Sequence, residues 1–361
     1  MSLRAVRDQD ASMRLVGNML LRRRIPNGLL FWGPDGVGKR LAAVETAKAI
    51  HCREREDDAC DVCLSCRKVE AGNHPDVIFL APVKKSRIID VAAVRSMTEL
   101  AALRPFESTW RVFIIQEADR MNITAQNHFL KTLEEPPGNS LFILVSESPG
   151  LLLPTIRSRC QRIRFGALRP ETVAELLERT RDLPPGLSRA IAAVAQGQMS
   201  RALDLVDTDK REVVVAVAKQ LSEGADPLEL AEDFAGRLNQ RRKEIETALK
   251  AEIDPVAYKE ASGEDREEIK KQQLALAESL IRRDIMEYLF LFQTWYRDAL
   301  VLDATGNPDR VLNRDQIDGL RAMKTEGLDN KCAAMEKARL YIERNLKEER
   351  VLRDLFLALS E

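Results

Sequence analysis

Nowhere in the 361 residues is there an apolar run of membrane-spanning length, and residues 1–24 alternate charges with isolated apolar side chains. Neither a transmembrane segment nor a secretory leader is expected, and the cytoplasm is the expected location. Net charge is almost absent: 56 Lys and Arg stand against 57 Asp and Glu, so no global positive field draws the chain onto nucleic acid. Contact with nucleic acid must then be local or shared with partners. Aromatics supply only 5% of the residues, while hydrophobic residues make up 45% and charged residues 31%, a balance that reads as a helix-rich globular protein. No tandem repeat of solenoid type is present. Cysteine is scarce too, but four of the six fall between Cys52 and Cys66. That clustering fits metal ligation in a reducing compartment and not a secreted disulfide framework.

The length exceeds what one core usually serves, and the pattern changes twice along the chain. Short apolar runs at Leu29–Trp32, Val77–Leu80, Val112–Ile115, Leu141–Val145 and Ile163–Phe165 predict strands. Helical spacing at Lys39–Ile50, Ile89–Leu103 and Ile123–Leu133 separates them. Strands alternating with helices predict an α/β domain over residues 1–166, built on a parallel sheet covered on both faces. Short amphipathic helices follow at Glu171–Thr180, Leu187–Gln196 and Ser200–Val206, so residues 167–208 read as a small helical domain. Residues 209–361 carry longer helical patterns, including Val213–Leu221, Asp284–Leu302 and Asn330–Leu359, and read as an all-helical domain. The charge-dense stretch Asp254–Gln273 predicts an exposed helical extension or a mobile insertion.

Gly33-Pro34-Asp35-Gly36-Val37-Gly38-Lys39-Arg40 fits the G-x-x-x-x-G-K of a phosphate loop between a strand and a helix. Backbone N–H groups at the glycines and Val37 can converge on phosphate oxygens, and Lys39 reaches the terminal ones. Position 40 should offer a hydroxyl to Mg²⁺, and Arg40 has none. The apolar strand Val112–Ile115 should deliver an acid to the same ion, and Gln116 stands there instead. Glu117, next in line, keeps the residue type that orients an attacking water, though without a metal clamp that role is vestigial. Asp119 is the nearby acid that would substitute if the register differed.

Cys52, Cys60, Cys63 and Cys66 are spaced C-x7-C-x2-C-x2-C. Four thiolates fill a tetrahedral Zn²⁺ shell and leave no open position, so a structural zinc module over about residues 52–66 is expected. His51 and His74 flank it and are read as non-ligands. Cys160 and Cys332 are read as packed thiols.

The phosphate loop, Leu130-Lys131-Thr132-Leu133-Glu134-Glu135-Pro136-Pro137 and Thr155-Ile156-Arg157-Ser158-Arg159-Cys160 together resemble the clamp-loader branch of the AAA+ family. The likeness is clearest over residues 24–165 and rests on helical character alone beyond residue 206. It implies a P-loop domain carrying the zinc module, a helical lid, and a C-terminal helical collar for oligomerisation. It also implies that Arg159 is an arginine finger acting in a neighbour's ATP site. A surface salt bridge is the alternative for that residue. Ser146 matches the family's polar sensor position, and Arg201 resembles its second sensor at the start of a lid helix. The family contains ATP-hydrolysing members and members that only donate a finger; the two missing Mg²⁺ ligands point to the second kind. The loop residues Gly33, Gly36, Val37, Gly38, Lys39 and Arg40 retain the means to hold ATP or ADP, weakened by Arg40. Implied partners are gamma/tau- and delta-type clamp-loader subunits of DNA polymerase III, with the sliding clamp and primer–template DNA met through the complex. A stand-alone nucleotide- or DNA-binding regulator is the competing reading.

Overall fold

Every residue of strand β1 (Gly28–Trp32) up to Phe31 is buried, as a strand in the middle of a doubly covered sheet must be. The computed structural model describes residues 2–82, 88–251, 263–323 and 327–360. β1 is joined by β2 (Val77–Leu80), β3 (Arg111–Ile115), β4 (Ser140–Ser146) and β5 (Gln161–Arg164) in one five-stranded sheet of order β2-β3-β4-β1-β5. All four pairings are parallel. β3 and β4 are wholly buried, whereas β2 and β5 form the edges and are partly or largely open.

Alternation along the strands divides the core into two layers. Leu29, Phe31, Ile114 and Ile143 pack with Ala43 and Ala47 of α2 (Lys39–His51) and with Met13, Val16 and Leu20 of α1 (Asp10–Leu21). Leu30, Phe113, Phe142 and Leu144 face the opposite way, onto Val94 and Met97 of α4 (Val91–Ala102) and Phe129 and Leu133 of α5 (Ile123–Glu134). Two short helices, α3 (Leu64–Glu70) and α6 (Pro154–Arg159), complete this part. Because the strands are parallel, the chain leaves β1, β3 and β4 at the same edge of the sheet, which brings three sequence-distant segments together.

The described chain packs as two units: Met1–Thr172 with Gly197–Ser200, and Val173–Gln196 with Arg201–Glu361. The second is helical throughout its described residues: α7 (Pro170–Arg181, entering from the first unit), α8 (Pro185–Ala195), α9 (Met199–Asp207), α10 (Lys210–Ser222), α11 (Pro227–Ala251), α12 (Gly263–Thr305), α13 (Ile317–Arg321), α14 (Leu328–Glu343) and α15 (Glu348–Ser360). Phe234, Tyr288, Phe292 and Phe356 form its aromatic centre. Several buried polar groups there are matched: Lys210 bonds Asp204 and Asp284, and Asp298 accepts the N–H groups of Leu312 and Asn313; the buried Tyr296 hydroxyl has no hydrogen-bond partner among the described residues.

Two expectations change, and a third is tested only in part. The single helix expected over Asn330–Leu359 is two, because Asn345 adopts φ 60° and the N–H of Leu346 closes onto the Tyr341 carbonyl, a left-handed helix stop that Asn tolerates. The helix expected at Asp284–Leu302 is the inner part of α12, which is 43 residues long. Of the charged stretch Asp254–Gln273, residues 254–262 lie outside the described residues, and the remainder is helical.

Candidate functional site

The phosphate loop leaves β1 and enters α2 with the geometry its glycines permit. Gly33 has φ 147°, and a Cβ there would sit 2.2 Å from the Phe165 carbonyl oxygen. Gly36 has φ 69°; a Cβ would meet the Ser200 backbone nitrogen at 2.3 Å, and the Met199 N–H donates to the Gly36 carbonyl at 3.1 Å. Gly38 precedes α2 in a left-handed conformation, and Val37 is buried in the core beside it. Lys39 is buried, its ammonium donating to the carbonyls of Gly33, at 2.8 Å, and Pro34. Burial pulls its pKa down, against the opposing pull of Glu147, Asp35 and Asp119. Arg40 is exposed on the first turn of α2.

At the end of β3, Gln116 is half-buried and its backbone N–H donates to the Leu80 carbonyl at 2.8 Å. Glu117 adopts φ 48° and lies 3.6 Å from Arg120. At the end of β4, Ser146 is fully buried with its hydroxyl unpartnered, and its carbonyl accepts the Gly33 N–H at 3.3 Å. The sheet edge therefore does unite the segments carrying Gly33, Gln116 and Ser146. It also brings in Asp119, the acid named above as a substitute, and two acids that sequence reasoning passed over, Asp35 and Glu147. Asp119 accepts the Glu147 N–H at 3.3 Å, and Glu147 has its pKa raised by burial and by Asp35. Asp35 sits inside the loop motif and Glu147 directly follows the sensor position. Neither spacing distinguishes an acid aimed at Lys39 from one in solvent.

The backbone cradle for phosphate is thus intact, but the side chains do not fit a Mg²⁺–nucleotide. Arg40 has no acceptor, the Gln116 amide is neutral, and the acids that approach Lys39 would repel a phosphate chain unless a metal intervened.

The cysteine cluster stands apart from the loop, at the far end of α2. Cys52 caps that helix and Cys63 caps α3. The sulfurs of Cys52, Cys60, Cys63 and Cys66 lie within 4.8 Å of one another, and Cys60 and Cys66 are 3.9 Å apart. A tetrahedral zinc with bonds of about 2.3 Å needs sulfurs about 3.8 Å apart, so the donor set and spacing fit one such ion. The Cys63 and Cys66 N–H groups point at the Cys60 and Cys63 sulfurs, at 3.3 and 3.5 Å, which stabilises thiolates. Burial pushes the Cys63 thiol up, but the backbone N–H groups of Arg53 and Cys66, with the thiols of Cys66 and Cys60, outweigh it and bring it to about 6. The module is tied to α2 by Lys48, wholly buried and paired with Glu45, Asp61 and Glu70. His51 and His74 stack at 4.5 Å beside it, outside the sulfur group. Burial holds His51 neutral, its pKa lowered to about 4.

Arg159 ends α6, 37% exposed, and pairs with Glu134 at 2.6 Å. Two motifs that are separate in sequence thus meet on one surface. Arg201 is ion-paired with Glu287 at 2.7 Å and lies over the Phe290 ring at 3.9 Å.

A five-stranded parallel sheet with a phosphate loop after its β1 strand and companion motifs after β3 and β4 defines an AAA+ type P-loop domain. The family model described as "DNA polymerase III, delta subunit" matches residues 8–169. The chain is 32% identical to DNA polymerase III subunit delta-prime of Pseudomonas aeruginosa, over 59% of this chain and 67% of that one. It is 34% identical to the delta-prime subunit of Bacillus subtilis (56% and 60%) and 33% identical to the tau subunit of the same organism (55% and 36%). The chain belongs to the family of delta-prime-like clamp-loader subunits of DNA polymerase III. It spans about three fifths of the Bacillus delta-prime subunit and about a third of the tau subunit. Among the described residues no helix is long and apolar enough to cross a membrane.

Proposed function

We propose that this chain is the stationary member of a clamp-loader ring: it hydrolyses no ATP itself and supplies Arg159 to the nucleotide site of a neighbouring ATPase subunit. The observation that carries this reading is a pairing of losses and retention. Both side chains expected on Mg²⁺, at positions 40 and 116, are replaced, while Arg159 remains at the surface, paired with an exposed carboxylate, Glu134, and donating to the Thr155 carbonyl of its own helix at 3.1 Å. An exposed ion pair of this kind contributes at most about 1 kcal/mol, so a phosphate group from a partner can displace Glu134 at little cost. A guanidinium then offers its planar donor pair to charge developing on the transferred phosphoryl.

In this reading residues 167–208 serve as the lid and 209–361 as the oligomerisation collar. Partners are gamma/tau- and delta-type subunits, and the sliding clamp and primer–template DNA are met through the assembled ring in the cytoplasm. Zinc at the four cysteines is structural. Ser146 and Arg201 are the candidate sensor residues, and Arg201 is ion-paired with Glu287.

An active gamma/tau-type ATPase is the second reading, favoured by the near-equal identity to a tau subunit and by the buried Lys39. Purified chain assayed with Mg²⁺ and ATP separates the two. Turnover at background, unchanged by Lys39→Ala, is the expected result; robust Mg²⁺-dependent turnover abolished by Lys39→Ala would establish the ATPase instead.

A further inference from the structure

β5 closes one side of the sheet with the sequence Gln161-Arg162-Ile163-Arg164, and only Ile163 is buried. Strand alternation therefore sends Arg162 and Arg164 to the face opposite Ile163, about 6.6 Å apart along the strand. There they border a cleft of about 780 Å³ whose other walls include Trp32 at the end of β1, and Arg157 and Ser158 on α6. The lining holds three guanidiniums and no carboxylate. Among the described residues none of the three makes an ion pair with an acid, and the Nε of Arg157 is sealed from solvent with no hydrogen-bond partner. Arg164 lies over the Trp32 ring at 5.5 Å.

This is not the overflow of a basic chain, because acids outnumber bases by one over the whole sequence. Like charges gathered without counter-ions destabilise the free protein, and an anion in the cleft relieves them. The chemistry of the walls narrows the choice of anion. Arginine forks match phosphate oxygens, and an indole beside them offers a flat apolar face to a base. An acidic peptide would satisfy the arginines but make no use of the indole's apolar surface. The cleft is also separate from the proposed finger, since Arg159 does not line it and turns instead to Glu134.

We propose that the cleft between α6 and β5 binds single-stranded nucleic acid, with phosphodiesters on Arg157, Arg162 and Arg164 and a base against Trp32. The test is fluorescence anisotropy of a labelled oligothymidylate titrated with the full chain at several salt concentrations. Wild-type chain should bind, with affinity falling as salt rises. Arg162→Glu with Arg164→Glu, both at exposed positions, should weaken binding tenfold or more and flatten the log–log salt slope by about 0.7 per lost contact. Trp32→Ala should weaken it about fivefold or more, with Trp32→Tyr restoring most of the loss. Arg95→Glu, an equal charge reversal on α4, should leave binding unchanged. The proposal is overturned by absence of binding, or by an Arg162/Arg164 double variant that binds as wild type does. It is equally overturned if polyglutamate displaces the oligonucleotide at matched charge, which would reassign the cleft to a protein partner. Displacement by free ATP at matched phosphate concentration would reassign it to a mononucleotide.

Discussion

Replacing Asp76 by Asn should cost the first unit about 4 kcal/mol of stability. Asp76 is completely buried and its carboxylate gathers the loop that follows α4. It accepts the backbone N–H groups of Phe106, Glu107 and Ser108 at 2.6, 2.7 and 3.1 Å, and Arg111 at 3.2 Å. Phe106 and Arg111 use one oxygen; Glu107 and Ser108 use the other. An Asn can keep the first oxygen, but its amide then faces two N–H donors. Two charge-assisted bonds are lost, at about 1.5–3 kcal/mol each, and a buried guanidinium loses its counter-charge, a change that typically costs about 3–5 kcal/mol. The estimates overlap near 4. Burial alone would push the Asp76 carboxyl up, but the N–H groups and Arg111 hold it below its ordinary value. The folded state then binds fewer protons than the unfolded one near pH 4, so this stabilisation is complete above about pH 4 and is lost as pH falls further. Urea unfolding followed by tryptophan fluorescence measures the effect. In a Trp295→Phe background the remaining tryptophans, Trp32 and Trp110, both report on the first unit. A loss below about 1 kcal/mol, or a difference from wild type that persists unchanged well below pH 4, would refute the reasoning.

Other outcomes follow from the same geometry. Gly36→Ala places a Cβ against the Ser200 nitrogen at a positive φ, and should lower stability by about 2 kcal/mol in thermal unfolding; an unchanged melting temperature would contradict the loop conformation. Cys60→Ser should abolish stoichiometric zinc in metal analysis of the purified chain and leave the module susceptible to proteolysis; full retention of zinc would remove Cys60 from the ligand set. Both ring nitrogens of His51 are buried without partners, so His51→Phe keeps the stack on His74 and should raise stability by about 1 kcal/mol. A clear loss in urea unfolding would show that those nitrogens have a partner.

The interior of the sheet was legible because its parallel strands are continuous apolar runs: β1 and β3 differ from their expected spans by one residue at one end and β4 by one residue at each end, and the edge strand Val77–Leu80 is found as expected, whereas the polar edge strand expected at Ile163–Phe165 runs from Gln161 to Arg164. Helix α1 was not read as a helix: Met13, Val16 and Leu20 keep helical i, i+3, i+7 spacing with only Asp10 and Arg14 charged in the element, but the charged residues flanking it, Arg4, Arg7, Asp8 and Arg22 to Arg24, masked that face. The phosphate loop and cysteine cluster are local in sequence, so spacing alone located them. Contacts made across long separations were invisible: Asp76 with Arg111, Glu134 with Arg159, and Arg201 with Glu287. The acids approaching Lys39 belong to that class as well. Asp35, Asp119 and Glu147 come from three segments that only the strand order brings together.

The central claim is that Arg159 acts on another subunit's nucleotide. Its most direct test reconstitutes this chain with a gamma-type ATPase subunit and measures DNA-stimulated ATP hydrolysis and clamp loading with wild type and with Arg159→Ala. The account predicts an assembled ring of normal size in which hydrolysis at the receiving site falls on the order of 10³-fold or more, and loading with it. Unchanged hydrolysis and loading by an assembled Arg159→Ala ring would contradict it.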